Sequence, residues 1–506
     1  MNLLRRLVFA SALAASALPA CAAIKLASPF TDHMVLQRGQ AVPVWGTCSN
    51  AGELIRVRFD GQTQVTTADA DGRWKIQLAP LAAGGPYELA VDALDDQVRL
   101  EDVLVGEVWL ASGQSNMDFT LARTPKYYFA GADHEAAEAA AANYPQIRMF
   151  TGEWARTYDP QAAVGGAWRV CTPENVREFS AIGYFFARDL QRALHVPVGI
   201  VTLTYGASTA QAWIRREAIA ADPRLAPELA AFDARVRAYA PAPADELARW
   251  AAAAEKARAA GQRPPRRPQT NPAADQHNPT VLYNGMIAPF VPYAIRGVIW
   301  YQGESITGDH ALFPVWNETL IRDWRKLWGA ELPFYFCQLS AQEAASNSPD
   351  IRELQAAALA LPATGMAVTV DIGDRHNVHP KDKQDVGDRL TRIALANVYG
   401  ETMEYSGPAY ESLAVEGGAL RLRFSHLGGG LVARGGPLKT FEVADAGGKY
   451  VPASARIEGG TVVVSAAGVV APVAARYAWS SYPEGCNFYN AAGLPAAPFR
   501  TDRGRP

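Results

Sequence analysis

Serine chemistry is the first possibility in this sequence, because one serine stands where a buried strand is predicted to end. The apolar residues 108–111 predict a strand of a parallel sheet, and the small polar residues 113–116 turn the chain directly after it. Open α/β sheets bind ligands outside the carboxyl ends of their strands. Ser115 is therefore a candidate nucleophile. The alternative is a turn serine that caps the next helix.

A nucleophilic serine needs a base, because its hydroxyl is almost wholly protonated at neutral pH. Among the eight histidines, His376 and His379 follow a predicted strand at 367–372 and precede a predicted helix at 381–398. That position places both imidazoles at the sheet edge expected for Ser115. His379 stands before a proline, which disfavours helical geometry at that residue. His379 is the preferred candidate base, and His376 is its rival.

Two carboxylates, Asp371 and Asp374, are near enough in the sequence to orient an imidazole. The other interpretation of such a His/Asp cluster is a metal site or a network that caps the following helix. No cysteine or further histidine has the spacing that would complete a metal site. We therefore predict no metal and no organic cofactor.

Two more predicted strands end in polar, glycine-containing turns. The strand at 198–204 leads to Gly206, and the strand at 297–301 leads to Gln302 and Glu304. In a parallel sheet these turns and the Ser115 turn lie at the same edge. Their alignment predicts a composite site built from three strand ends.

The elements that must position these residues alternate between strands and helices along the middle of the chain. Strand runs alternate with helical stripes at 179–194, 312–328 and 381–398, which predicts an α/β class with a doubly wound parallel sheet. Alternating runs with glycine-rich turns on both sides predict flanking all-β domains. The expected parts are a signal peptide at 1–22, an N-terminal β-sandwich-like domain at 23–104, an α/β hydrolase domain at 105–402 with an Ala/Pro-rich insertion at 215–278, and a C-terminal β-rich domain at 403–506.

The amino terminus resembles an export signal. Arg5 and Arg6 precede the apolar residues 7–18, and residues 20–22 supply a small-residue cleavage pattern. The run is too short to span a membrane. We expect a periplasmic or secreted protein; a lipid anchor on Cys21 is the less favoured alternative.

Composition argues against two classes of partner, and it does not decide whether the cysteines form disulfides. The formal net charge of −3 gives no reason to expect nucleic acid or an anionic membrane as a partner. A hydrophobic content of 49% over 506 residues is enough for several cores. The oligomeric state is not readable. Disulfides and buried free thiols are equally open for the four remaining cysteines, Cys48, Cys171, Cys337 and Cys486.

Four motifs together resemble the sialate O-acetylesterase family within the SGNH hydrolases. They are residues 113–117 (Gly-Gln-Ser-Asn-Met), Gly206 with Trp213 downstream, residues 300–305 (Trp-Tyr-Gln-Gly-Glu-Ser) and residues 379–383 (His-Pro-Lys-Asp-Lys). Any one of them alone would be weak, but their common order makes the match specific. Two segments near the ends of the chain, residues 30–38 and 493–500, are similar to that family as well.

The resemblance implies an SGNH-type fold, acyl transfer from acetylated carbohydrate, and a role for each matching residue. Ser115 would be the nucleophile and His379 the base. The backbone N–H groups of Ser115 and Gly206 would donate to the oxyanion, with Gln302 as a third donor. Glu304 would orient the loop that carries Gln302.

The acid that orients the base is the least defined part of this site. SGNH enzymes often have an aspartate three residues before the histidine, and here His376 occupies that position. Asp374 is the first candidate and Asp371 the second. A Ser-His dyad oriented by a backbone carbonyl is the third possibility.

Two other functions stay open from the sequence. A glycosidase could pair Glu304 with Asp371 or Asp374 as two working carboxylates, although it would leave the Ser115 turn unexplained. A non-catalytic carbohydrate-binding protein is compatible with the flanking β-domains.

The expected partner is an O-acetylated carbohydrate. The family name indicates sialic acid, while bacterial members with this layout also resemble esterases of acetylated xylan or xyloglucan. Trp213, Tyr301 and the insertion are candidate walls of the substrate pocket, with core packing as the alternative for the two aromatic residues.

Overall fold

The amino-terminal part consists of two small layers of antiparallel strands. The computed structural model describes residues 24–502, except 126, 266, 269, 307–309 and 344–347, so the expected signal peptide lies outside the described residues. Strand β3 pairs with β1 and β6, and β4 pairs with β5 and β7; their buried residues share one core. The strands are β1 Ile24–Leu26, β2 Val35–Gln37, β3 Val42–Cys48, β4 Leu54–Phe59, β5 Gln62–Thr67, β6 Arg73–Leu78 and β7 Gly84–Asp92.

One long strand, β8 (Gln97–Gly113), joins this part to the central sheet. Its first half pairs with β7, and its second half lies between two strands of the central sheet. The boundary expected between residues 104 and 105 therefore falls inside a continuous strand. The Ser115 turn follows directly after this strand, which is the middle strand of the central sheet.

The α/β part follows the predicted alternation, with additions. Two strands between residues 144 and 171 were not predicted, because that segment has no clear apolar alternation. In chain order the elements are α1 Ser115–Asp118, α2 Glu135–Ala141, β9 Tyr144–Gly152, β10 Gly166–Cys171, α3 Ala181–Leu194, β11 Val198–Thr204, α4 Arg216–Ala221, α5 Ala226–Ala238, α6 Ala244–Ala259, β12 Gly297–Tyr301, α7 Phe313–Trp328, β13 Phe334–Cys337, α8 Pro349–Ala356, β14 Thr364–Ala367 and α9 Lys383–Val398.

The central sheet has the strand order β10-β9-β11-β8-β12-β13-β14. All of its strands run parallel except β10, which pairs antiparallel with β9 at the edge. Helices α3 and α9 pack together on one face, and α7 packs on the other. The last strand ends at Ala367, earlier than the predicted 367–372; Val370–Ile372 forms a short 3₁₀ turn instead.

The carboxyl-terminal part contains three further antiparallel sheets around a core of its own. The chain is thus a mixed α/β protein with additional all-β sheets. Its strands are β15 Ala409–Glu416, β16 Ala419–Ser425, β17 Leu431–Ala433, β18 Phe441–Ala444, β19 Val451–Pro452, β20 Ser454–Glu458, β21 Thr461–Ser465, β22 Ala474–Tyr477, β23 Phe488–Asn490 and β24 Phe499–Arg500.

Two expectations from composition can be compared with the structure. The four cysteines of the described chain, which could have formed disulfides, are free thiols. Within the described ranges, no helix has the length and apolar character needed to cross a bilayer.

Candidate active site

The candidate nucleophile lies at the carboxyl edge of the central sheet, between the ends of two neighbouring strands. Strand β8 is flanked by β11 and β12, both parallel to it, so the turns after all three strands meet at Ser115. Gly113 has φ +129°, and a Cβ there would lie 2.2 Å from the Tyr301 carbonyl oxygen. Only glycine suits this close approach of two backbones.

Hydrogen bonds hold the three strand ends together around this turn. The Gln114 N–H donates to the Tyr301 carbonyl over 2.9 Å, and the Tyr205 N–H donates to the Gly113 carbonyl over 3.0 Å. The buried Gln114 side chain accepts from the N–H groups of Gly303 and Ser305, at 3.2 and 3.3 Å. The position of Ser115 is therefore fixed by both neighbouring strands.

His379 is the histidine that reaches the serine. Its Nε2 lies 2.8 Å from the Ser115 Oγ, which is hydrogen-bonding distance. The ring packs against Phe129, with 4.6 Å between ring centroids and 32° between ring planes. The rival, His376, is exposed, and its N–H donates to Asp374. The structure thus brings Ser115 and His379 together, and it leaves His376 at the surface.

The backbone N–H groups of Ser115 and Gly206 belong to neighbouring residues. A Cβ built on Gly206 would lie 3.8 Å from the Ser115 Cβ, so the two residues are neighbours. Among the described residues, no acceptor meets the N–H of Ser115 or that of Gly206. Neighbouring N–H groups without an internal acceptor are suited to hold a developing negative charge.

The third expected donor, Gln302, has a different environment. Its side chain is buried, and its Nε2 donates to the Ser208 carbonyl over 3.2 Å and to the Ser305 carbonyl over 3.5 Å. These acceptors belong to the turns that follow β11 and β12. The amide group of Gln302 therefore connects two loops. This contact corrects the expectation, taken from the resemblance, that Gln302 donates to the oxyanion.

Neither candidate acid forms a hydrogen bond with His379 in the described structure. Asp374 is exposed, and its Oδ1 accepts from the N–H groups of His376 and Asn377. Asp371 accepts two hydrogen bonds from Arg389, at 2.7 and 2.8 Å. Among the described residues, no carboxylate accepts a hydrogen bond from the imidazole. The expected pairing of Asp374 or Asp371 with His379 is therefore corrected, and none of the described backbone carbonyls accepts a hydrogen bond from the ring either.

A buried polar network lies behind the serine. The Lys383 ammonium donates to the Asn116 Oδ1 over 2.6 Å. The Asn116 Nδ2 donates to the carboxylate of Glu304, and also to the Val378 carbonyl over 3.0 Å. Asn116 thus links the Ser115 turn, the loop after β12 and the loop that carries His379.

Burial in this network shifts three pKa values. Burial lowers the pKa of Lys383 to about 7, although the charge of Glu304 opposes the shift. Burial also raises the pKa of Glu304 above its usual value. Burial, with a smaller contribution from the charge of Lys383, lowers the pKa of His379 to about 4. The imidazole is therefore neutral at physiological pH and able to accept a proton.

The two expected pocket aromatics are part of the core. Trp213 is fully buried against Trp300, and its Nε1 donates to the Ser208 Oγ over 3.0 Å. Tyr301 is 1% exposed in the core on the opposite face of the sheet. Successive residues of a strand point to opposite faces, and helices cover both faces of this sheet. Neither side chain lines an open pocket, and core packing is the correct interpretation.

Three residues beside the serine were not predicted as functional. Asn116 and Lys383 lie inside the motifs at 113–117 and 379–383, so their position in the sequence was a usable signal. Phe129 lies in a segment without a recognisable motif. In the part of the chain that the structure describes, no three His, Cys, Asp or Glu side chains converge as a possible metal site.

Comparisons with known proteins identify relatives of this chain. A family model described as carbohydrate esterase, sialic acid-specific acetylesterase matches residues 274–396. The chain is 28% identical to the sialate O-acetylesterase of Mus musculus, over 94% of each chain. It is 29% identical to the Homo sapiens protein of the same name, over 94% of this chain and 92% of that protein.

A solved structure extends the match to nearly the whole chain. The crystal structure of a carbohydrate acetylesterase from Xanthomonas citri superposes with a TM-score of 0.80 at 37% sequence identity. The alignment covers 95% of this chain and 100% of that one. The chain therefore belongs to the sialate O-acetylesterase family of carbohydrate esterases.

Proposed function

We propose that this protein removes O-acetyl groups from carbohydrates through a Ser115–His379 dyad. The observation that carries the proposal is the 2.8 Å contact between the His379 Nε2 and the Ser115 Oγ, beside two N–H groups for which the described residues provide no acceptor. Membership of the family makes the chain an esterase. The assignment of the α/β part to the SGNH type belongs to the same proposal, supported by the position of Ser115 after a central parallel strand.

The chemistry is acyl transfer in two steps. His379 accepts the Ser115 proton while Oγ attacks the acetyl carbonyl, and the N–H groups of Ser115 and Gly206 stabilise the oxyanion. His379 then donates that proton to the departing sugar oxygen, leaving an acetyl-serine. Water, deprotonated by His379, hydrolyses this intermediate and releases acetate.

The dyad needs another way to orient its imidazole, since Asp374 and Asp371 are engaged elsewhere. Packing against Phe129 on one side and the hydrogen bond to Ser115 on the other limit rotation of the ring. The His379 N–H also donates to the Asn377 side chain over 2.9 Å, which fixes the backbone of this residue.

The substrate class is an O-acetylated sugar, with sialic acid, xylan and xyloglucan as the candidates. The test is acetate release from a panel of these three acetylated compounds, with Ser115→Ala as the matched control. Release that the substitution abolishes would support the proposal and rank the substrates. Release that survives in Ser115→Ala would remove this serine from the mechanism. Export to the periplasm or the medium is also proposed, on the basis of residues 1–22.

A glycosidase finds less support in the same geometry. Glu304 accepts from Asn116, Asp371 is paired with Arg389, and Asp374 accepts from two backbone N–H groups. Paired carboxylates that act on a glycosidic bond must flank a common space. These three carboxylates serve three separate local networks.

Replacing Gln302 separates loop positioning from oxyanion binding. We expect Gln302→Ala to lower kcat by about tenfold or less, because its amide holds the Ser208 carbonyl and not the reacting oxygen. Losing an oxyanion donor costs on the order of 10²–10³ in rate. Steady-state kinetics on para-nitrophenyl acetate measures the difference. A loss in the larger range, in a folded variant, would restore the donor role.

The charge of Lys383 should contribute to the position of the acid limb of the pH profile. Below its pKa of about 7 the lysine is cationic, so it opposes protonation of His379, whose pKa is about 4. In Lys383→Met the imidazole should protonate at higher pH, and the acid limb of kcat/KM should move upward. The exposed Lys381, in Lys381→Met, is the control. An unmoved limb in folded Lys383→Met would contradict the role.

A further inference from the structure

A continuous series of aromatic rings lies beside the catalytic pair; we call it the aromatic arc. It consists of Phe129, Tyr127, Trp154 and Tyr205. The ring centroids are 6.2 Å apart from Phe129 to Tyr127, 6.0 Å from Tyr127 to Trp154 and 5.3 Å from Trp154 to Tyr205. These separations are typical of interacting aromatic pairs.

Both ends of the aromatic arc are next to Ser115. At one end, Phe129 packs on His379, whose Nε2 is 2.8 Å from the Ser115 Oγ. At the other end, Tyr205 directly precedes Gly206, which neighbours the Ser115 Cβ. The arc therefore borders the space in which an acyl group must lie, from the base to the oxyanion donors.

Polar and charged side chains contact the aromatic arc at two of its rings. Tyr127 is 5% exposed and its hydroxyl interacts with Asp118, whose carboxylate also accepts from Thr204 over 2.6 Å. At the other end, the Arg156 guanidinium stands 5.0 Å from the centroid of the Tyr205 ring. Such contacts hold the rings before any ligand arrives.

Exposure differs along the aromatic arc. Tyr127 is buried and Tyr205 is half-buried, whereas Trp154 is 42% exposed. Ligand sites are lined mainly by hydrophobic and aromatic side chains, with a few polar groups that fix the orientation of the ligand. A pyranose ring presents an apolar face of C–H groups that packs on an aromatic ring, while its hydroxyls stay in contact with polar groups.

We propose that Trp154, continued by Tyr205, is a sugar-binding ledge that holds the pyranose ring whose acetyl group is presented to Ser115. This inference rests on the proposed carbohydrate esterase function and adds the residue that distinguishes a sugar acetate from a simple acetate. A ligand that extends from the oxyanion donors over Tyr205 reaches Trp154 next, because the two ring centroids are 5.3 Å apart.

Two acetate esters test the ledge by their difference. For Trp154→Ala we expect KM for an O-acetylated xylo-oligosaccharide to rise about tenfold, with little change for para-nitrophenyl acetate. Trp154→Phe should restore most of the affinity. The control is Trp250→Ala on α6, whose ring contacts Arg267 in the insertion. Equal effects on both esters, or no effect on either, would overturn the ledge.

Direct binding separates failure of the ledge from failure of the proposed function. Titration of Ser115→Ala with the same oligosaccharide, by calorimetry, measures affinity without turnover. Affinity that is about tenfold weaker in Ser115→Ala/Trp154→Ala supports the ledge, even if the wild type releases no acetate from sugars. Equal affinity of the two variants, or no binding to Ser115→Ala, overturns it.

Discussion

Replacing Ser115 or His379 with alanine should lower kcat for acetate release on the order of 10⁶-fold. Only the activity that does not depend on this pair would then remain in the folded protein. The two residues act as one unit, because the His379 Nε2 contacts the Ser115 Oγ directly. We therefore expect the double variant to be no slower than either single variant, since losses within such a unit are not additive. Single-turnover kinetics and a circular dichroism spectrum of each variant make the comparison.

The candidate acids supply the matched controls. Asp374→Ala removes an exposed carboxylate whose contacts are to the backbone of its own loop, so kcat should fall less than tenfold. An orienting carboxylate of a triad contributes about 10⁴ in kcat. A loss of that size in Asp374→Ala would establish a triad and contradict the dyad. A double variant much slower than the single variants would contradict the joint action of Ser115 and His379.

Replacing Arg352 with methionine should destabilise the protein by about 3–5 kcal/mol, which is the largest stability effect that we expect. This arginine is fully buried on α8, and burial lowers its pKa to about 10, so it stays cationic at neutral pH. Its guanidinium donates to four backbone carbonyls, two after β13 and two from the carboxyl-terminal part. The acceptors are Leu339, Ser340, Ser480 and Ser481, at 2.8–3.0 Å.

The large cost follows from what the substitution leaves behind. Methionine fills a similar volume but donates nothing, so the buried carbonyls of Leu339 and Ser340 and the more accessible carbonyls of Ser480 and Ser481 lose this donor. Urea denaturation of Arg352→Met should show a lower midpoint, with Arg322→Met as the control. Arg322 is exposed and pairs with Glu318 on the same helix, so its loss should change stability by less than about 0.5 kcal/mol. Equal midpoints for the two variants would mean that water satisfies the carbonyls.

The sequence by itself determined much of the scaffold and supplied the candidate pair. A serine after a buried apolar run, and a histidine before a proline, made Ser115 and His379 the preferred candidates, and the structure places them 2.8 Å apart. Apolar periodicity predicted the strand Gly297–Tyr301 with the bounds that the structure has. It predicted the helix that ends at Val398 with a start two residues too early. Such signals are local, because burial on one face imposes a period on the chain itself.

Proximity in the sequence did not determine contact with the imidazole. Asp371 and Asp374 are near His379 along the chain, yet the loop turns the first towards Arg389 and the second towards its own backbone. The position of Tyr301 along its strand likewise decided which core its side chain enters, because a one-residue step along a strand changes the face of the sheet. Apolar pattern alone could not distinguish a pocket wall from a core that is covered on both faces.

The tertiary structure alone decided which distant residues complete the site. Lys383 reaches Asn116 across 267 positions of sequence, and its charge adds to the burial of His379 in lowering the pKa of that imidazole. The aromatic arc draws on residues 127–129, 154 and 205, none of which has a pattern that separates it from ordinary core. Electrostatic shifts and aromatic contacts depend on distance and burial in three dimensions, and those quantities exist only once the parallel strands have brought the loops to one edge.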